Sequence, residues 1–253
     1  MKRLVSTSLV AAGLCLGTSN HAFALPFSPL NARPVTVNAA PAGETGLQSM
    51  LNTIFAPSGS VPNAASDQQT FGMWTLATNP GGILPALAFE QTALAGSNIY
   101  GIWSWSDTLS KVVDVPIFLG SAAPGVFTGT AMLAWVDPLT VAIGGFNCGV
   151  VNCGTYQVDS SAFGFYLQGG NDGPIYYTVD SLNSNGAAKA LAYQQGTSTN
   201  WAIAFEDGSD NDFNDGVLKV ESLLPVPEPG TLFLFGTGLI GVASAARRRF
   251  RSA

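Results

Sequence analysis

Short runs rich in β-branched and aromatic residues, divided by Gly, Pro, Asn and Asp, constrain this chain more than any other feature. They lie at 71–77, 86–92, 99–105, 112–119, 130–136, 141–145, 162–167, 175–179, 190–194, 201–205 and 217–222. Separators such as Asn79-Pro80-Gly81-Gly82 and the Gly-Gly-Asn-Asp-Gly-Pro stretch at 169–174 supply turn chemistry. Strands at this spacing, without long helical segments between them, point away from βαβ units. They predict an all-β fold, an antiparallel β-sandwich or jelly roll, as a single domain over residues 67–224. The stretch before it, 25–66, is rich in Pro, Ala, Asn, Gly and Ser and reads as a loosely packed lead-in with a short helix around Leu47 to Phe55. No repeat of fixed period is evident.

The N-terminus is a targeting segment. Lys2 and Arg3 precede an apolar run from Leu4 to Gly17, and Ala22-Phe23-Ala24 supplies a small-residue cleavage site. Residues 1–24 therefore read as a secretory signal peptide, with signal peptidase cutting after Ala24. Cys15 and His21, the only histidine, leave with it. Cys148 and Cys153 remain, in a compartment that permits disulfides, and their bridge would close a small loop worth about 2 kcal/mol. A zinc site is not indicated, because there is no second Cys pair and no His.

Between Leu25 and Val226 the basic residues are Arg33, Lys111, Lys189 and Lys219, against fifteen Asp and Glu, a net formal charge of −11. Nucleic acid is excluded as a partner, since phosphate neutralisation needs a basic face. The loss of the only histidine removes a Ser-His-Asp triad, a Cys-His pair and any His-ligated metal. Glycoside hydrolysis by two carboxylates, formally Glu90 and Glu206, is left as an enzyme reading, although nothing in their spacing singles them out. The expectation is a protein that is not an enzyme.

The C-terminus (225–253) has its own order: Val226-Pro227-Glu228-Pro229-Gly230, an uncharged stretch from Thr231 to Ala246, then Arg247, Arg248, Arg249 and Arg251. Sixteen residues of helix cover about 24 Å against roughly 30 Å of bilayer hydrocarbon, and Gly236, Gly238 and Gly241 weaken the span further. Such a segment suits a temporary anchor in the inner membrane, with the arginines held on the cytoplasmic side. An ordinary tail anchor or a buried helix is the alternative. The motif, helix and Arg cluster, in this order, resemble the PEP-CTERM sorting signal of Gram-negative bacteria. That resemblance implies recognition by an exosortase, transient anchoring, and release to the cell surface, extracellular matrix or biofilm.

One segment inside the domain carries chemistry. Glu206, Asp207, Asp210, Asp212 and Asp215, five of the fifteen carboxylates, fall in ten residues between two predicted strands, together with Asn211 and Asn214. Such crowding is repulsive unless a cation neutralises it. Ca²⁺, which takes six to eight oxygens in irregular geometry, fits this donor set best. Asp210, Asp212 and Asn214 stand at positions 1, 3 and 5 of an EF-hand-like loop and Glu221 at position 12, but Asp215 occupies the position that needs Gly, and Gly216 comes one residue late. The other reading is a tight turn capped by Asx hydrogen bonds without metal.

The same residues carry a second resemblance. Trp201 to Asp207, then Asp210 to Asp215, then a short strand, resemble the closing motif of a domain of unknown function. That domain recurs in PEP-CTERM proteins and in calcium-associated bacterial surface proteins. Tyr100-Gly101-Ile102 and residues 118–125 resemble its earlier strand and loop, so coverage runs over about 70–222. The resemblance implies a β-sandwich. Gly216 replaces the family's usual aliphatic residue, which puts the packing of the last strand in question. Trp103 and Trp105 share one strand face, as Tyr177 does with Ile175. These rings are either core or a stacking platform for sugars. The functional expectation is an exported structural or adhesive surface protein; a module binding exopolysaccharide is the alternative, and a glycosidase the third.

Overall fold

A computed structural model of the chain describes residues 30–77, 81–83, 85–92, 94, 96–106, 108–120, 129–137, 139–145, 153–158, 160–170 and 172–226. The signal peptide, Cys148, the sorting motif from Pro227 onward and the Arg cluster lie outside them. Among the described residues no helix is long and apolar enough to cross a membrane.

The chain forms helix α1 (Leu47–Phe55) and then strands β1 (Trp74–Leu76), β2 (Gly81–Ile83), β3 (Ala86–Glu90), β4 (Ile99–Ser106), β5 (Lys111–Leu119), β6 (Gly129–Asp137) and β7 (Thr140–Gly145). It continues through β8 (Gly154–Gln157), β9 (Gly164–Gln168), β10 (Ile175–Tyr177), β11 (Ala190–Gln194), β12 (Trp201–Phe205), β13 (Gly216–Val220) and β14 (Leu223–Pro225). Every pairing is antiparallel. A large sheet runs β11-β12-β13-β3-β6-β7-β8, with β2 also on β6; a second sheet runs β10-β9-β4-β5, and β1 pairs with β14. The all-β expectation holds.

Three of the strands were not legible as strands. Gly81-Gly82 reads as a turn, yet β2 pairs with residues 133–135 of β6, and a Cβ at Gly82 would lie 2.8 Å from the Leu133 carbonyl. The glycine permits this close backbone approach. After Pro85, which has no N–H to give to a ladder, β3 continues the pairing against Thr130 and Gly129. β8 is polar and exposed, and β14 follows β13 after a two-residue break.

Side-chain alternation sorts the strands into layers. Trp201, Ile203 and Phe205 of β12, with Trp74, Leu133, Leu218 and Val220, meet Tyr100, Ile102, Phe165 and Leu167 of the smaller sheet in the main core. Trp74 sits edge-on to Trp201, with ring centroids 5.6 Å apart. The opposite faces are covered too. On the smaller sheet, Trp103 and Tyr166 pack with Met73, Ala162 and Val179.

The lead-in is not uniformly loose: residues 41–45 are exposed, whereas the helix that follows them is packed. Leu47, Met50, Leu51, Ile54 and Phe55 recur at the i, i+3, i+4, i+7 spacing of an apolar helix stripe and are all buried. They lie on the outer face of the large sheet against Leu191, Tyr193, Ala202, Ala204 and Val217. The two alanines let the helix come close to the sheet. Nine residues alone make a marginal helix, so tertiary packing holds this one. Composition missed this because the apolar residues are confined to one face of one helix.

Candidate metal site

β12 ends at Phe205 and β13 begins at Gly216, and these two residues are paired, so residues 206–215 form a closed loop at the sheet end. Glu206 templates it. Its Oε1 accepts the Gly208 N–H at 2.8 Å, and its Oε2 accepts the N–H groups of Asp212 at 3.1 Å and Phe213 at 3.4 Å. Asp215 Oδ2 accepts the Asp207 N–H at 2.7 Å, and Asp212 Oδ1 accepts the Asn214 N–H at 3.1 Å.

Asn211 and Phe213 hold φ of 59° and 55°, left-handed values that are unfavourable for a residue as bulky as Phe. Phe213 is 1% exposed and packs in the cluster under α1. Burying its ring contributes about 2–3 kcal/mol, against about 1–2 kcal/mol for the left-handed backbone, so burial wins and fixes the loop's shape.

The carboxylates of Glu206, Asp210, Asp212 and Asp215 come together, with one ligand atom from each lying within 4.8 Å of the others. Asp212 and Asn214 are each 1% exposed, and Asp212 Oδ2 and Asn214 Oδ1 are buried acceptors with no donor. A buried acceptor without a partner costs about 1–3 kcal/mol, more when charged. An Asx-capped turn accounts for Asp212 Oδ1 but leaves these two atoms unexplained. The ion pairs Arg33–Asp180 and Lys219–Glu221 do not reach the loop. Lys189 Nζ does approach, donating to the Gly208 carbonyl. The donor set, hard oxygens only, is one a divalent cation could take.

Two other predicted positions stand apart. Asp207 directs Oδ2 toward Thr92 Oγ1 at 2.6 Å and Asn98 Nδ2 at 3.4 Å, and its own carbonyl accepts the Tyr176 hydroxyl at 3.0 Å. Glu221 is exposed, just past the strand that stands where an EF-hand would have its exiting helix, and pairs with Lys219 at 3.6 Å. The Gly216 departure is resolved by packing: a Cβ there would lie 2.1 Å from the Tyr100 hydroxyl, which donates to Glu90 Oε1 at 3.2 Å. The aromatic ring fills the space that an aliphatic residue would take.

Glu90 and Glu206 are both fully buried, Glu90 being held also by Asn98 Nδ2 at 3.1 Å. A glycosidase needs its carboxylates facing a substrate cleft. Trp103 is fully buried as well, edge-on to Tyr177 at 5.8 Å, so it belongs to the core and offers no sugar platform.

Sequence reasoning missed the groups that reach the loop from the lead-in. Asn38 N–H donates to the Asn211 carbonyl at 2.9 Å and its Nδ2 to the Asp210 carbonyl. Asn214 Nδ2 donates to Glu44 Oε2 at 3.1 Å and to the Thr45 carbonyl at 3.4 Å. At about 170 residues' separation, no spacing signal could have found them.

Electrostatics follow from this burial. Burial, then the Asp207 charge, pushes the Asp215 carboxyl up to about 8 from 3.8. Burial raises Asp212 and Glu206 too, the latter opposed by its hydrogen bond from Phe213. A carboxyl raised in the folded state favours the protonated fold. For Asp215 this contribution is complete below about pH 4 and is lost as pH rises toward 8. The metal-free protein should therefore melt higher at pH 5 than at pH 8. Cation affinity should run the other way, rising with pH as protons stop competing. Melting curves in EDTA at the two pH values check the first statement, and a flat profile would refute it.

Comparison with known proteins places two family models on the chain. The PEP-CTERM protein-sorting motif matches residues 225–249, and a domain of unknown function (DUF4114) matches residues 155–222. No curated protein matches. Among solved structures, the chain is similar to a high-affinity mannose-binding lectin of Ralstonia solanacearum, with 16% identity over 62% of this chain and 97% of the lectin, at a TM-score of 0.28. It is also similar to the C-terminal domain of the BC2L-C lectin from Burkholderia cenocepacia, with 13% identity over 63% and 99% of the two chains, again at 0.28. At that score the likeness carries no argument about ligands.

Proposed function

We propose that this chain, which carries a PEP-CTERM protein-sorting motif behind a β-rich body matched by DUF4114 over residues 155–222, is a Ca²⁺-stabilised structural or adhesive component of the cell surface or extracellular matrix. The sorting motif marks the chain for export and exosortase processing. What supports the calcium reading is a single observation: two buried acceptors of the loop, Asp212 Oδ2 and Asn214 Oδ1, lack any donor where four carboxylates, that of Asp212 among them, come together. Glu206, Asp210, Asp212, Asn214 and Asp215 would hold the ion. Ca²⁺ would neutralise their charge and cross-brace the end of the sheet, while Mg²⁺ would fit less well because it demands near-octahedral geometry.

The fold is suited to losing its tail. β14 pairs with β1, and Val226 N–H donates to the Met73 carbonyl at 3.0 Å, so the last strand is tied to the first just before Pro227. Cleavage after about Pro229 would leave the core intact. The extracellular form should therefore lack residues 1–24 and everything after about Pro229, and be lighter by two hydrogens for a Cys148–Cys153 disulfide. Intact mass spectrometry checks this, and a product retaining Arg247 to Arg251 would exclude it. Incubating the secreted protein with the producer's exopolysaccharide, with and without Ca²⁺, tests the adhesive role; no retention in either condition would leave a purely structural one.

A further inference from the structure

The unpartnered Asn214 Oδ1 has a geometric cause outside the loop. A carboxamide can turn either its oxygen or its NH₂ toward a neighbour, and the surroundings decide which. Here the neighbours on one side are both acceptors, Glu44 Oε2 at 3.1 Å and the Thr45 carbonyl at 3.4 Å. They require the NH₂ group on their side, which leaves Oδ1 as a buried oxygen without a donor. Glu44 itself is exposed, so it is not a buried ligand. Its segment is nevertheless tied to the middle of the loop and to its C-terminal end. Asn38 bonds to Asn211 and Asp210, while Thr45 exchanges hydrogen bonds of 2.9 and 2.8 Å with Gln91, whose N–H donates to the Asp215 carbonyl at 3.0 Å.

We infer that Glu44 is a positioning residue of the cation site, and that a cation bound at the loop clasps segment 38–45 against the domain; this rests on the loop being a Ca²⁺ site. Glu44 acts through Asn214, presenting its oxygen to the ion as partners behind metal ligands commonly do. By linkage, whatever the segment contributes to cation affinity, the cation returns as docking of the segment. Helix α1 begins two residues after Thr45. The clasp thus joins the metal loop to the covering of the sheet's outer face.

Calorimetric titration of the secreted protein with Ca²⁺ tests this, using wild type, Glu44→Ala and Glu44→Gln, alongside limited proteolysis of segment 38–45. Glu44→Ala should weaken Ca²⁺ binding by about tenfold or more. Glu44→Gln should stay within about threefold of wild type, because its amide oxygen still accepts from Asn214. Ca²⁺ should protect segment 38–45 in wild type and in Glu44→Gln, and much less in Glu44→Ala. If wild type binds and Glu44→Ala binds equally well, the positioning role is wrong while the Ca²⁺ reading stands. Equal losses in both variants would mean that charge, not orientation, is what Glu44 supplies, and would overturn the inference as stated. No binding by wild type would overturn the Ca²⁺ reading and this inference with it. Melting midpoints in EDTA should agree for wild type and Glu44→Gln and fall only slightly for Glu44→Ala, since Glu44 is exposed and Asn214 Nδ2 keeps the Thr45 carbonyl as acceptor.

Discussion

Adding Ca²⁺ to the purified secreted protein should raise its melting temperature by about 5–10 °C. At a hundredfold excess over Kd, linkage supplies about 2.7 kcal/mol, and a domain of this size shifts by about 2–4 °C per kcal/mol. Asp212→Ala should remove most of the rise, because it deletes a buried carboxylate whose Oδ2 has no other partner. It also deletes the acceptor for the Asn214 N–H, so some stability is lost in EDTA as well. The decisive quantity is the difference between the two conditions. Equal melting curves of wild type in EDTA and in Ca²⁺ would leave the capped turn as the account of the loop. Mg²⁺ at the same concentration should produce a smaller shift.

The second large effect lies away from the loop. Arg33, the only arginine between Leu25 and Val226, reaches Asp180 with both terminal nitrogens, at 2.9 and 3.0 Å. The two side chains are 1% and 2% exposed. Asp180 Oδ2 also accepts the Asn31 N–H at 2.9 Å. Arg33→Ala strands a buried carboxylate and should cost about 3–5 kcal/mol, lowering the midpoint by roughly 10 °C or more. Replacing both partners by apolar residues of similar volume should cost far less, because no charge is then left buried. Denaturant unfolding of the three proteins measures this. A loss under about 1 kcal/mol for Arg33→Ala would show the pair behaving as an exposed one. The pair matters for function because it ties the start of the described chain, and with it the segment carrying Glu44, to the sandwich.

Several elements of this structure are written locally. β11 and β12 coincide with the runs Ala190–Gln194 and Trp201–Phe205, and α1 with the apolar stripe of Leu47–Phe55. The acidic loop was visible because its carboxylates are neighbours in sequence. Alternation on β4 placed Trp103 and Trp105 on one face, but could not say what lies over that face. Trp103 is covered by Tyr177 and its surroundings, which takes that ring out of any sugar platform. Asp207 looked like a ligand by proximity, yet Thr92 and Asn98 draw its carboxylate away.

Sequence alone determined that the chain carries a sorting motif and what kind of fold it adopts, because such motifs, strand periodicity and turn residues are properties of a few consecutive side chains. Only the tertiary structure decided which carboxylates converge, since that depends on how Glu206 collects the N–H groups of its loop and where Phe213 is buried. It alone brought Asn38 and Glu44 onto that loop. The physical reason is separation along the chain. The helix of the lead-in buries one face of a sheet against residues some 150 positions away, and no local pattern encodes the partner of such a face.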